Sequence, residues 1–68
     1  VDSQLIQTAL DKLPILQKEA IILRFYQDLK VKEIAKITGV GVATAQSRIH
    51  QGLKKIASYL NEEEFRND

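Results

Sequence analysis

Val42, Ala45, Ile49, Leu53, Ile56 and Leu60 follow one another at steps of 3, 4, 4, 3 and 4. At about 100° per residue such steps return to one side of an α-helix, which no strand can reproduce. Similar spacing recurs in Leu5, Ile6, Ala9 and Leu13, in Leu16, Ala20, Ile21 and Leu23, and in Val31, Ile34, Ala35 and Ile37. Period-two alternation holds nowhere over a useful length, so the chain is predicted to be all-α. Local signals divide it into four helices. Asp2 or Ser3 can cap the first, which runs through about Lys12. Pro14 sits in the first turn of the second, roughly Ile15 to Gln27, where its missing N–H costs nothing. The third, about Val31 to Thr38, is stopped by Gly39, suited to the positive φ of a helix C′ position. Val40 and Gly41 complete a three-residue turn into a fourth helix that starts near Val42 and that Asn61 can end. The acidic run beyond it opposes the negative helix end, so residues 1–61 are expected to form the domain and residues 62–68 a frayed tail.

The second helix is apolar beyond a single stripe, adding Ile22, Phe25 and Tyr26. A surface that wide is either central to the core or meets a partner; most such aromatics belong to cores. With 68 residues there is room for one domain, burying only about 60% of the surface of the unfolded chain. The sequence has no cysteine and a single histidine, His50, so neither a disulfide nor a zinc cluster can staple it, and no cofactor is expected. The lack of cysteine fits a reducing cytosol, and a cytoplasmic location is expected. No apolar run approaches the ~18 to 20 residues that cross a bilayer, so no membrane partner is expected. A chain that opens at Val1 rather than Met is expected to be an excised piece of a longer protein.

The net charge of +1 hides an uneven distribution. Residues 41–60 carry Arg48, Lys54 and Lys55 with no acid, while residues 61–68 carry Arg66 against Glu62, Glu63, Glu64 and Asp68. A locally basic segment is the electrostatic footprint of polyanion binding, although three cations also suit an ordinary solvated helix. Composition of the face decides between the two. Thr44, Ser47, Gln51, Lys54, Lys55 and Ser58 share the side of the fourth helix opposite its apolar stripe, with Arg48 and His50 on the flanks. A solvated helix usually mixes Glu with Lys for pairing at four-residue spacing, and this face has no carboxylate. Phosphates repel carboxylates, so the face suits DNA. Gln can bond adenine bidentately, Arg guanine, and the Thr methyl can touch that of thymine.

Ala35, Gly39 and Ala45, at offsets of four and six, each have a steric role in a helix-turn-helix: close approach, tight turn and tucked second helix. The stretch from Leu13 to Ile56, with "LP" before the second helix, "ILRFYQDL", "EIAKITGV" and "SRIHQGLKK", resembles region 4 of bacterial sigma factors, particularly the extracytoplasmic-function group. That resemblance implies a four-helix domain, monomeric within the polymerase holoenzyme, whose last helix reads the upstream (−35) element of promoter DNA. It implies contact with the flap of RNA polymerase through other surfaces, and an anti-sigma factor as a further partner. By the same likeness Thr44, Gln46, Ser47, Arg48, His50 and Gln51 fall on positions that approach DNA, with Lys54 and Lys55 beyond them.

The departures from the family pattern matter as well. Lys30 stands where Ser or Thr often caps the third helix, so a capping box with Glu33 keeps half its bonds and Asp28 is the substitute cap. Gly41 replaces a common capping Ser at a cost of a few tenths of a kcal/mol. Gln46 and Gln51 occupy positions that are frequently Lys or Arg, which reduces phosphate contacts and points Gln51 toward adenine-containing steps. Four or so cations on phosphates predict a salt slope of roughly −3 to −4 and weak binding by this piece alone. Two other readings compete. One is the DNA-binding domain of a LuxR-type response regulator, which shares the "EIA…G" pattern but not "RFYQDL" or "SRIHQGLKK". The other is a protein-interaction module that docks a partner through Ile22, Phe25, Tyr26 and the acidic "NEEEF" tail. No triad, phosphate loop or metal cluster is visible, so catalysis is not expected.

Overall fold

The computed structural model describes the backbone of residues 3–66 and the side chains of residues 3–61. The predicted capping role of Asp2 and the side chains of the acidic tail lie outside them. Helix α1 spans Ser3–Asp11 and α2 spans Ile15–Ile21; Ile22–Tyr26 continue α2 as a π-helical turn; α3 spans Val31–Thr38 and α4 spans Val42–Arg66. The all-α, four-helix architecture expected from the spacing is the one observed. At 1.5 Å per residue the 25 residues of α4 run about 37 Å, most of the 44 Å long axis. The other three helices pack against it.

The core is small and lies where the four helices meet. Leu10 and Leu13 from α1 and its exit turn, Ala20 and Ile21 from α2, Ile34 and Ala35 from α3, and Ala45 and Ile49 from α4 are buried together. Each large aliphatic side chain in that group contributes about 1.5–3 kcal/mol by leaving water. Ile6, Leu23, Leu29, Val31, Val40, Ile56 and Tyr59 pack around it, half-buried. Lys12 lies over the Tyr59 ring, 5.4 Å from its centroid, and ties the end of α1 to α4.

Several residues assigned to apolar stripes face solvent instead. Val42 and Leu53 are exposed, and the inward line of α4 runs through Ala45, Ile49, Gly52 and Ile56. Val42 and Leu53 sit roughly 60° and 80° round the helix from Ala45, beyond the arc that the neighbours cover. Ile37 is exposed because it lies almost opposite Ala35 on α3, and Leu16 is exposed because it lies about 140° from Ile21 on α2. Phe25 and Tyr26 are also out of the core, at 53% and 60% exposure. Their stretch is wound with a wider turn, Gln27 N–H donating to Ile22 O five residues back at 3.0 Å, so the 100° step that would carry Phe25 inward after Ile21 does not apply.

Local chemistry fixes the turns. Asp28 takes the left-handed conformation, φ 57, at the exit of the π-turn, so it ends one helix rather than capping the next. Arg24 Nη1 donates to Leu29 O at 3.2 Å and closes that connection. Lys30 N–H donates to Glu33 Oε1 at 2.9 Å. The Lys30 ammonium has no lone pair to offer in return, so only this half of the capping box exists. At the other end of α3, Gly39 adopts φ 71, while Val40 N–H reaches Ala35 O at 3.0 Å and Gly39 N–H reaches Lys36 O at 3.3 Å. These two bonds complete a Schellman turn and set the entry of α4. The helix end expected at Asn61 lies further on, at Arg66. Asn61 is a weak stop with no Gly or Pro behind it, and Glu62 to Glu64 are good helix formers.

Candidate nucleic-acid interface

The outward side of α4 is held in place from behind. Ala45 and Ile49 anchor its first turns against α3 and the core, and Gly52 lets the backbone of α4 come down onto α2. An ideal Cβ on Gly52 would meet Ile21 Cγ1 at 2.9 Å, so no larger residue fits without displacing a core side chain. Neither Gly52 nor Gln17 stands out among the sequence-predicted site residues. A glycine inside a helix costs about 1 kcal/mol against Ala, and that cost is the signal by which the close approach at Gly52 could have been found.

With α4 fixed in this way, Thr44, Gln46, Ser47, His50, Gln51 and Lys54 are exposed, and Arg48 and Lys55 are half-buried. All eight predicted site residues therefore reach the surface, on one helix. Arg48 and Lys55 lie nearer the packed side, where their aliphatic stems can rest on neighbouring residues while the charged ends stay in water. His50, Gln51, Lys54 and Lys55 border an open depression on the helix surface.

Electrostatically the face is uncommitted. Among the described residues the one ion pair is Lys18 Nζ to Asp11 Oδ1, 3.0 Å, at the join of α1 and α2. There the Lys18 ammonium first, and the Gln7 amide second, hold the Asp11 carboxyl below its ordinary value. Among the described residues Arg48, Lys54 and Lys55 have no carboxylate partner, and no residue from Val42 to Asn61 is acidic. Three unpaired cations beside exposed hydroxyl, amide and imidazole groups can meet phosphates and base edges. Nothing in that set resembles a nucleophile with an oriented base.

The polar groups on this face are partly organised among themselves. Gln51 Nε2 donates to Ser47 Oγ at 3.5 Å, and Gln17 Nε2, from α2, donates to Gln51 Oε1 at 3.4 Å. On the π-helical turn that continues α2, Phe25 and Tyr26 are exposed, with the Arg24 guanidinium 5.6 Å from the Phe25 centroid. Among the described residues no helix is long and apolar enough to cross a membrane.

Residues 3–56 match the family model described as Sigma-70, region 4. The chain is 46% identical over 57 residues to an RNA polymerase sigma factor, SigV, of Bacillus subtilis (strain 168), covering 84% of this chain and 34% of that protein. It is 39% identical over 55 residues to an ECF RNA polymerase sigma factor, SigE, of Mycolicibacterium smegmatis (strain ATCC 700084 / mc(2)155), covering 81% of this chain and 21% of that protein. The chain thus spans about a third or less of the length of these curated relatives. No solved structure matches it.

Proposed function

The chain belongs to the sigma-70 region 4 family, in its extracytoplasmic-function group, and from that premise we propose that it helps direct RNA polymerase to promoters by reading the upstream (−35) element with α4. The observation that carries this reading is the outward side of α4 from Val42 to Asn61, which has no carboxylate, with Arg48, Lys54 and Lys55 unpaired among the described residues. In the proposed complex the first turns of α4 enter the major groove. Thr44, Gln46, Ser47 and Gln51 address base edges and the groove walls, Arg48 and His50 approach from the two flanks, and Lys54 and Lys55 neutralise phosphates further along. Helix α3 and the Gly39 turn hold the angle at which α4 enters, as in other helix-turn-helix units.

Magnitudes favour a domain that works as part of a larger assembly. Three phosphate-neutralising cations give a salt slope of about −3, small for a protein that must find a site unaided. Occupancy then comes from tethering to polymerase and to a second DNA-contacting domain, which raises the effective concentration of α4 at its element. Promoter binding by holoenzyme carrying Arg48→Ala and Lys54→Ala tests this: the reading requires lost promoter occupancy with polymerase core still bound.

The exposed Phe25 and Tyr26 support a second, coexisting role for the π-helical turn. Exposed aromatics with an adjoining Arg are the residue types that anchor protein interfaces. We assign that patch to the polymerase flap, with an anti-sigma factor as the competing occupant, and a holoenzyme-assembly assay with Phe25→Ser and Tyr26→Ser decides whether it engages polymerase.

A further inference from the structure

Gln17 lies on α2, outside the helix-turn-helix, yet its side chain crosses to α4. Its Nε2 donates to Gln51 Oε1 at 3.4 Å, and Gln51 Nε2 donates in turn to Ser47 Oγ at 3.5 Å. The relay therefore runs from a half-buried side chain to the exposed face. Its direction is set at the inner end. Gln17 Oε1 is buried and has no partner; turning that amide over would bury two N–H donors in place of one carbonyl, and orphaned donors are the less tolerated of the two. Gln17 thus presents a donor, Gln51 answers with its oxygen, and the Gln51 amide nitrogen turns toward Ser47. The Ser47 hydroxyl accepts that bond and keeps its own proton to donate.

We propose that Gln17 is a positioning residue for sequence reading, acting through Gln51 so that the Gln51–Ser47 pair offers donors rather than a mixed donor and acceptor edge. This rests on the reading of α4 as the DNA-facing helix. Bidentate recognition of adenine asks a Gln to point both Oε1 and Nε2 at the base, and here Oε1 is turned toward α2. A donor pair matches the O6 and N7 acceptors of guanine in the major groove. The base pair facing Gln51 is accordingly guanine in preference to adenine, the reverse of what the residue type alone suggests.

The test is binding selection from a randomised duplex library at low ionic strength, where a protein with few phosphate contacts holds DNA more tightly. Wild type, Gln17→Leu, Gln51→Ala and the double variant are compared, with thermal unfolding as the check on folding. Wild type is expected to enrich guanine over adenine at one position by roughly 5-fold or more. Gln17→Leu is expected to lose most of that preference while keeping the salt slope, and to change nothing further in the Gln51→Ala background. Gln17→Glu offers only acceptors, so the Gln51 nitrogen must turn inward and its oxygen outward; enrichment then moves from guanine toward adenine or cytosine. A wild type that enriches a sequence while Gln17→Leu and Gln17→Glu leave the preference unchanged overturns the proposal alone. A wild type that enriches nothing overturns the DNA reading and the proposal with it.

Discussion

Gly52 and Ile21 meet so closely that the backbone of α4 rests on the Ile21 side chain: a Cβ at Gly52 would lie 2.9 Å from Ile21 Cγ1 and 3.1 Å from its Cδ1. Ile21 is 3% exposed, so it has little room to yield. Gly52→Ala gains about 1 kcal/mol in helix propensity but incurs about 1–3 kcal/mol of overpacking. The expected net loss is about 1 kcal/mol, a fall in Tm of roughly 4–8 °C for a domain of this size. In an Ile21→Ala background the same substitution is expected to be neutral or stabilising. Thermal denaturation followed by circular dichroism reads both, and equal losses in the two backgrounds would rule out the Ile21 contact as the cause.

Gly39 presents the opposite case. Its Cβ position is open, with nothing within 4 Å, but its φ is 71. Gly39→Ala therefore costs backbone strain alone, about 1–2 kcal/mol, and Gly39→Asn is expected to cost less because Asn tolerates the left-handed region. Urea denaturation that finds the Asn variant no more stable than the Ala variant would contradict this account of the turn.

Much of this was legible in the sequence because helices announce themselves locally. Steps of three and four, Pro14 and Gly39 are short-range signals, and they located α3 and the start of α4. What stayed hidden depends on which part of each apolar arc the neighbours cover. Val42 and Leu53 fit a helical stripe as well as Ile49 does, and only the placement of α2 and α3 leaves them in solvent. The π-turn was invisible for the same reason: Ile22–Tyr26 has no residue that forbids an α-helix, and its wider winding turns Phe25 and Tyr26 outward. For the interface, the absence of acids from Val42 to Asn61 was readable residue by residue, whereas the Gln17 link joins positions 34 apart in sequence and needs the fold to bring them together.

The exposed aromatics should be dispensable for folding. Phe25→Ser and Tyr26→Ser are expected to shift stability by no more than about 0.5 kcal/mol each, the usual range for surface positions. The same variants are expected to weaken association with polymerase core while leaving DNA contacts of α4 intact. Large losses in Tm would show instead that the patch is structural.

The basic residues of α4 make a quantitative prediction about salt. Arg48→Ala and Lys54→Ala should each flatten the dependence of log K on log salt concentration by about 0.9, and the effect should be similar across DNA sequences for Lys54. Fluorescence anisotropy over a salt series measures the slope. A slope unchanged in both variants would mean that neither side chain neutralises a phosphate.

The most direct test of α4 as the reading helix is an amide chemical-shift titration of the 68-residue chain with duplex DNA at low salt. The expected result is a contiguous set of perturbed amides from Thr44 to Lys55, with those around Phe25 and Tyr26 unmoved. Perturbations confined to α1, α2 and the π-turn, with Ser47 and Gln51 silent, would contradict it.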